Sequence, residues 1–474
     1  MLRTHTCGEL NEGNVNQEVT LCGWVNSRRD HGKLIFIDIR DRYGITQAIF
    51  LPKPNTETYE KAKKLRNEDV IKLKGVVNSR PKKTENPKIP TGLIEICAEN
   101  LDILSASSDL PFNIEDNVDA GEEIRFAYRY LDLRRPSVCK KLILRHRMNQ
   151  EFRNFLNSRN FLEIETPFLT KSTPEGARDY LVPSRLNPNK FYALPQSPQL
   201  FKQILMVGGI DKYYQLVRCF RDEDLRKDRQ PEFTQLDMEL SFVQEEDIFS
   251  LTEKMYAHVF STCLGIELKI PFERISYAEA LAKYGTDKPD IGTGDHRFLW
   301  VKDFPLFEYD NVEQRWQSCH HPFTSPKDED ISSLKSKIES DSSLAGADRA
   351  VSKIKARAYD LILNGQELGS GSIRIHSSDL QKKIFKILGI SDQEAESKFG
   401  FLLRAFKYGV PPHGGIAFGL DRFYAIISGS ESIREVIAFP KTQRGICLLG
   451  EAPSYVSQRQ LDELYIKTVP QKQE

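Results

Sequence analysis

Apolar and polar residues alternate with a period of two through most of the first hundred positions. Segments 19–25, 34–39, 45–50, 70–77 and 92–96 each read as a short strand, and 58–65 reads as a helix. Five strands and one helix at this length predict a small closed barrel of the OB type over residues 1–105. Such barrels present an aromatic and basic face to single-stranded nucleic acid. The pattern then weakens. Pro111, Gly121 and Pro136 punctuate residues 106–137, where only 124–131 has helical spacing, and the stretch is expected to be a hinge. From Val138 a helix begins with Leu144, Met148, Phe152 and Phe155 on one stripe, which puts Arg145, Arg147 and Arg153 on its solvated side. Residues 138–474 mix strands and helices, predicting an α+β domain on an antiparallel sheet.

The strictest alternation lies at 233–242. Gln235, Asp237, Glu239 and Ser241 share one face, and Thr234, Leu236, Met238, Leu240 and Phe242 share the other, which predicts a half-buried antiparallel strand. The preceding strand, 213–220, is too apolar and aromatic for a surface hairpin. Arg221, Gln235 and Asp237 on the inner face of this pair then need a ligand, because a buried unpaired charge is costly. Phosphate oxygens would satisfy Arg221, and an amino group would satisfy Asp237. The joining loop carries Arg226, Lys227 and Arg229 among three acids; taken alone, a solvated turn is the commoner arrangement. The chain has no Gly-x-x-x-x-Gly-Lys-Ser/Thr loop and no Gly-x-Gly-x-x-Gly after a strand. A nucleotide here would therefore be held by the planar forks of arginines rather than by a backbone nest.

Composition narrows the picture only slightly. The 67 basic and 67 acidic residues cancel, which excludes a generally cationic coat but allows a local basic face. None of the eight cysteines forms a Cys-x-x-Cys pair, so no structural zinc site is expected. With no secretory leader and no apolar run near the length of a membrane span, the chain is expected to be cytoplasmic with reduced thiols and no membrane partner.

Three segments carry a family resemblance. Phe220-Arg221-Asp222-Glu223 with Gln230-Pro231-Glu232-Phe233-Thr234-Gln235-Leu236-Asp237 resembles motif 2 of the class II aminoacyl-tRNA synthetases. Gly415-Ile416-Ala417-Phe418-Gly419-Leu420-Asp421-Arg422 resembles motif 3, and Phe161-Leu162-Glu163-Ile164-Glu165-Thr166-Pro167 resembles the dimer-forming motif 1. The most similar family is the bacterial-type aspartyl-tRNA synthetases, and the likeness covers nearly the whole chain. It implies a homodimer that joins L-aspartate to tRNA(Asp), with tRNA(Asn) an open second acceptor, using ATP and Mg²⁺.

The resemblance also implies roles. Lys202 and Arg374 match the clamp on the side-chain carboxylate of aspartate. That clamp has to distinguish aspartate from asparagine by charge, since shape differences are worth only about 1–3 kcal/mol. A neutral amide between two desolvated cations would leave them undercompensated. Glu175 and Asp237 are expected at the α-amino group, with Gln199 as a further contact and His320 near the aspartate side chain. Arg221 is assigned to the α-phosphate and Arg422 to the γ-phosphate; with Lys202 and Arg374 they make up the expected catalytic set. Asp222, Glu223 and Gln230 are expected at the nucleotide, Phe233 on adenine, Gly419, Leu420 and Asp421 along the ATP, and Glu367 on Mg²⁺. In the barrel, Arg29, Phe36, Gln47 and Glu95 fall at the family's anticodon-contacting positions. His31 points to an enzyme that accepts both tRNAs, whereas Lys83 points to a strict one.

One departure stands out. The family carries a large domain between motifs 2 and 3, but here 284–290 runs almost directly into 298–305. Only a turn near 291–297 is left, and activity is expected to survive. A polar stretch, 328–350, exceeds the family's needs and is expected to be mobile. Three other readings compete: a catalytically silent paralogue that binds RNA, a relative specific for asparagine or lysine, and an amide-forming enzyme on the same catalytic domain. The intact Arg221, Arg422 and Glu367, the paired Lys202 and Arg374, and the barrel disfavour them in turn.

Overall fold

Inward-facing aliphatic residues at every second position close residues 18–105 into a barrel. The computed structural model describes residues 1–173, 176–292, 296–332 and 351–469. The chain divides into two compact units, Met1–Cys139 and Lys140–Glu474. In the first, β1 (Glu18–His31), β2 (Leu34–Arg40), β3 (Ile45–Phe50), β4 (Val70–Ser79) and β5 (Ile94–Ser105) form a closed barrel in the order β1-β2-β3-β5-β4, with helix α1 over Thr56–Ala62. Val19, Leu21, Val25, Ile35, Ile37 and Ile39 fill its interior.

Residues 26–33, between the expected strands 19–25 and 34–39, are mostly strand. After a bulge beyond Val25, Ser27 to His31 pair with Asp38 to Leu34, and Gly32 turns the hairpin at φ 61°. The charged composition suggested a loop, but ladder hydrogen bonds hold a strand whose side chains are solvated on both faces. The helix expected at 124–131 is two, Glu122–Ala127 and Arg129–Asp132, because Tyr128 leaves the helical region at φ −104°, ψ 43°.

The second unit is built on one sheet. Helix α2 (Pro136–Asn157) opens on a proline, which tolerates the first helical position, and buries Met148, Phe152 and Phe155 as expected. There follow β6 (Leu162–Glu163), α3 (Gln199–Val207), β7 (Lys212–Phe220), β8 (Glu232–Ser241) and α4 (Glu245–Leu264). The rest of the sheet is β9 (Glu273–Ser276), β10 (Phe298–Lys302), β11 (Ala358–Leu363), β12 (Gln366–Ile373) and β13 (His413–Gly419), with α5 over Leu420–Ile427. Its order is β9-β10-β11-β12-β13-β8-β7-β6, antiparallel except for the edge pairs β9/β10 and β6/β7. The architecture is α+β, as the alternation predicts.

Strand β8 departs from the half-buried expectation: from Thr234 to Ser241 it is buried on both faces. Leu236, Met238 and Leu240 pack into the core with Phe152, Tyr256 and Phe260. The polar face is closed off too, with Lys202 of α3 lying against it. Of the short connection at 291–297, residues 293–295 lie outside the described residues, as do 333–350 of the polar stretch.

Candidate active site

A cavity of about 450 Å³ opens on the polar face of β8, β12 and β13. A larger one, about 540 Å³, is walled by Leu169, Phe191, Phe201 and Phe401 and is mainly apolar. The smaller cavity carries the charged chemistry. Strand register explains why. Gln235, Asp237 and Glu239 pair with Gly419, Ala417 and Gly415 of β13, which has no side chain larger than a methyl on those positions. The small residues leave room for long polar side chains from both sides.

The inner end holds a network of four fully buried charges. Lys202 Nζ donates to Asp237 Oδ1 at 2.7 Å and lies 3.4 Å from Glu239 Oε2. Arg374 donates to Glu239 through Nε at 2.9 Å and Nη2 at 3.1 Å, and to Ser372 Oγ through Nη1 at 2.7 Å. The two carboxylates respond differently. Burial raises both, but Arg374 and Lys202 outweigh it at Glu239 and bring it to about 2. Asp237 has Lys202 alone as a close partner; burial wins, and its pKa rises. Its Oδ2 has no hydrogen-bond partner, nor does Gln199 Nε2. Both belong to residues lining the cavity. An unpartnered buried carboxylate oxygen and an unpartnered amide N–H on one cavity suit a zwitterion.

His320 and His321 take different partners. His320 Nε2 lies 3.2 Å from Asp360 Oδ1. Burial pulls its pKa down, but the Asp360 and Glu367 carboxylates more than offset this and raise it. His321 is held neutral, near 3, by burial and by the Arg374 and Lys202 charges. Both line the cavity.

The outer end is cationic and more open. Arg221 follows β7, and its guanidinium lies 5.0 Å from the ring centre of Phe233. Arg422, in the first turn of α5, donates to the Glu367 carbonyl at 2.6 Å and reaches Asp228 at 3.4 Å. Glu223 accepts from Arg229 at 3.1 Å. Gln230 exchanges hydrogen bonds with the Lys441 backbone at 3.0 and 2.8 Å, so its amide is already paired. The Glu367 carboxylate takes Lys288 Nζ at 2.7 Å.

Thirteen of the expected residues therefore line one cavity, Gly419 and Asp421 among them. The others lie elsewhere. Leu420 is in the hydrophobic core. Asp222 is part-exposed and pairs through its backbone with Arg178. Glu175 lies outside the described residues. Asp421 lines the cavity, yet its carboxylate accepts from Arg145 and from the Thr234 N–H at 2.8 Å. Arg145 is thus no solvated residue: its guanidinium also donates to Thr234 Oγ1 at 3.0 Å, which ties α2 to the strand and helix that frame the cavity.

Sequence reasoning overlooked Glu239, Asp360, His321 and Lys288. Glu239 was within reach, since it shares the alternating face of Asp237. Asp360 and Lys288 stand in an apolar strand and a polar turn that carry no local signal.

On the barrel, Arg29 Nη2 donates to Asp38 Oδ1 at 3.0 Å and to Gln47 Oε1 at 3.1 Å, and Gln47 Nε2 donates to Glu95 Oε2 at 2.9 Å. This chain crosses β1, β2, β3 and β5. Phe36 stands opposite Arg29, with His31 edge-on at 6.0 Å. Lys83 is exposed in the β4–β5 connection at φ 74°.

An OB barrel followed by an antiparallel sheet with arginines at its strand ends defines the class II synthetase fold. Residues 121–443 match the class II tRNA synthetases (D, K and N), and residues 19–104 match the OB-fold nucleic acid binding domain. The chain belongs to the class II aminoacyl-tRNA synthetases of this group. It is 47% identical to an aspartate–tRNA(Asp/Asn) ligase of Persephonella marina, over 98% of this chain and 97% of that one. To the ligase of the same name from Aquifex aeolicus it is 45% identical, over 98% of each. The first alignment extends over 596 positions against 474 residues here, so that relative carries a large segment this chain lacks. The asparaginyl-tRNA synthetase of Pyrococcus horikoshii complexed with asparaginyl-adenylate shares the fold, with a TM-score of 0.75 at 24% identity over 93% of this chain and 99% of that one.

Proposed function

We propose that this chain is an aspartate–tRNA ligase that activates L-aspartate with ATP and passes it to tRNA(Asp) and to tRNA(Asn). The observation that carries this is the double pairing of Lys202 and Arg374 with Asp237 and Glu239. Two cations face two carboxylates, one of which has an unpartnered oxygen. A bound aspartate adds one ammonium and one side-chain carboxylate, and the site stays neutral. Asparagine adds the ammonium without the carboxylate. The Persephonella marina and Aquifex aeolicus relatives are named aspartate–tRNA(Asp/Asn) ligases, which supports both acceptors, as does His31, while Lys83 points to a strict enzyme.

In this reading the α-ammonium donates to Asp237 Oδ2, the Gln199 Nε2 amide donates to the α-carboxylate, and the side-chain carboxylate lies between Lys202 and Arg374. The α-carboxylate then attacks the α-phosphorus of ATP in line, and pyrophosphate leaves. The chain contributes position and charge rather than a base. Arg221 neutralises the α-phosphate, Phe233 stacks on adenine and Arg422 holds the γ-phosphate. Asp360 and Glu367 would hold Mg²⁺. Their chemistry fits that ion: both are oxygen donors close enough to act on each other's charge, and magnesium takes one or two carboxylates and completes its shell with phosphate oxygens and water. When bound, the ion neutralises charge on the polyphosphate. In the second step the terminal ribose hydroxyl of the tRNA attacks the aspartyl-adenylate, and the barrel reads the anticodon.

A homodimer fits the edge strand β6 and the segment that follows it, where Leu162, Phe168 and Leu169 are exposed. Among the described residues no helix is long and apolar enough to cross a membrane, in keeping with a cytoplasmic translation enzyme. Aspartate-dependent exchange of pyrophosphate into ATP, followed by charging of the two tRNAs side by side, tests this reading. Absence of exchange removes it, and charging of tRNA(Asp) alone removes the second acceptor.

A further inference from the structure

One cation on the cavity wall has no part in the account above. The helix before the short connection ends at Gly285, whose φ of 72° reverses the chain. The turn that follows is braced by a hydrogen bond from the Lys288 N–H to Thr286 Oγ1 at 3.1 Å. It carries Lys288 to the cavity, where Nζ lies 2.7 Å from Glu367 Oε2. The Asp287 and Asp360 carboxylates also favour the charged form of Lys288. Arg422 meanwhile grips the Glu367 carbonyl and not its carboxylate. The carboxylate best placed for a divalent cation therefore already has a cationic partner.

A magnesium ion needs oxygens at about 2.0–2.1 Å, while an ammonium sits farther out with one charge and a flexible stem. The two cations compete for one carboxylate. We propose that Lys288 is an exchangeable counter-ion: it holds Glu367 in place before a divalent cation binds, yields to that cation, and then takes the polyphosphate of ATP as its new partner. Glu367 thus never lies unpaired, and a divalent cation without nucleotide meets a competitor. This inference rests on reading the cavity as an ATP site, but its first test does not.

The test is Mn²⁺ binding to the full chain without nucleotide, followed by electron paramagnetic resonance of the free ion. Lys288→Met is expected to bind Mn²⁺ roughly tenfold more tightly than the parent, and Lys288→Arg to bind it like the parent. ATP affinity, measured by calorimetry with Mg²⁺ present, is expected to fall roughly tenfold in Lys288→Met. Lys288→Gln repeats both measurements should the methionine variant fail to fold. Unchanged or weaker Mn²⁺ binding overturns the counter-ion role, and unchanged ATP affinity overturns the transfer to phosphate. If the parent itself shows no aspartate-dependent exchange, the ligase reading fails while the Mn²⁺ result still stands.

Discussion

Arg374 and Glu239 meet fork to fork in the interior, with Nε–Oε1 at 2.9 Å and Nη2–Oε2 at 3.1 Å. The pair resolves an electrostatic difficulty. A clamp for a carboxylate needs cations, and cations in a closed pocket need counter-charges before substrate arrives. Glu239 supplies one and Asp237 the other. The guanidinium is held in a single orientation, since its Nη1 also donates to Ser372.

Replacing Glu239 by Gln removes that counter-charge from Arg374 and Lys202. Losing one partner of a buried pair typically costs about 3–5 kcal/mol. A drop of that order in unfolding free energy is expected by denaturant titration, with weaker aspartate activation.

Arg374→Lys keeps a charge but loses the fork. The change forfeits a charge-assisted hydrogen bond, typically about 1.5–3 kcal/mol. Exchange driven by aspartate is expected to fall roughly 10- to 100-fold in kcat/KM. The KM for ATP should barely move, because Arg374 stands at the inner end of the cavity, where the proposed aspartate clamp lies.

Gly415 is required by the same pair. A Cβ there would meet Glu239 Oε2 and the Met238 carbonyl, each at 2.1 Å. Gly415→Ala is therefore expected to destabilise the fold by about 1–3 kcal/mol and to shift Glu239 off Arg374. Thermal unfolding and aspartate-dependent exchange check the two halves of this prediction.

Two opposite pH effects follow from the two carboxylates. Glu239 titrates near 2 in the folded chain, below its ordinary value of 4.5, so its pairing contributes stability above the ordinary value. That contribution is expected to fade as pH falls from about 4.5 towards 2. The stability gap between the parent and Glu239→Gln should close over the same window. Asp237 titrates above its ordinary range. A substrate ammonium favours its ionised form, so aspartate affinity is expected to weaken on acidification before ordinary carboxylates protonate, as calorimetry across pH would show.

On the barrel, Phe36→Ala removes a stacking surface, typically worth about 1–3 kcal/mol per base. The KM for tRNA is expected to rise roughly 5- to 100-fold. Pyrophosphate exchange, which needs no tRNA, should be unchanged.

Much of this site can be read from the chain because β8 carries its polar residues at every second position. That period puts Asp237 and Glu239 on one face whatever surrounds them. The OB barrel is equally readable, since Leu21, Val25, Ile35 and Ile37 alternate with polar neighbours. What could not be read is set by distance. Arg145 looks like any solvated arginine of an amphipathic helix until Asp421, far along the chain, comes to rest beside it. Lys288 sits in an unremarkable polar turn and meets Glu367, on a strand far along the chain, only in the folded sheet. The strand at 26–31 was obscured because charged residues in a hairpin resemble a loop when the partner strand is out of view.

The central claim is that Lys202 and Arg374, neutralised by Asp237 and Glu239, select a doubly acidic amino acid. Pyrophosphate exchange into ATP, run with aspartate and with asparagine on the same enzyme, tests it most directly. The account predicts rapid exchange with aspartate and exchange with asparagine lower by several orders of magnitude. Equal rates with the two amino acids would contradict it.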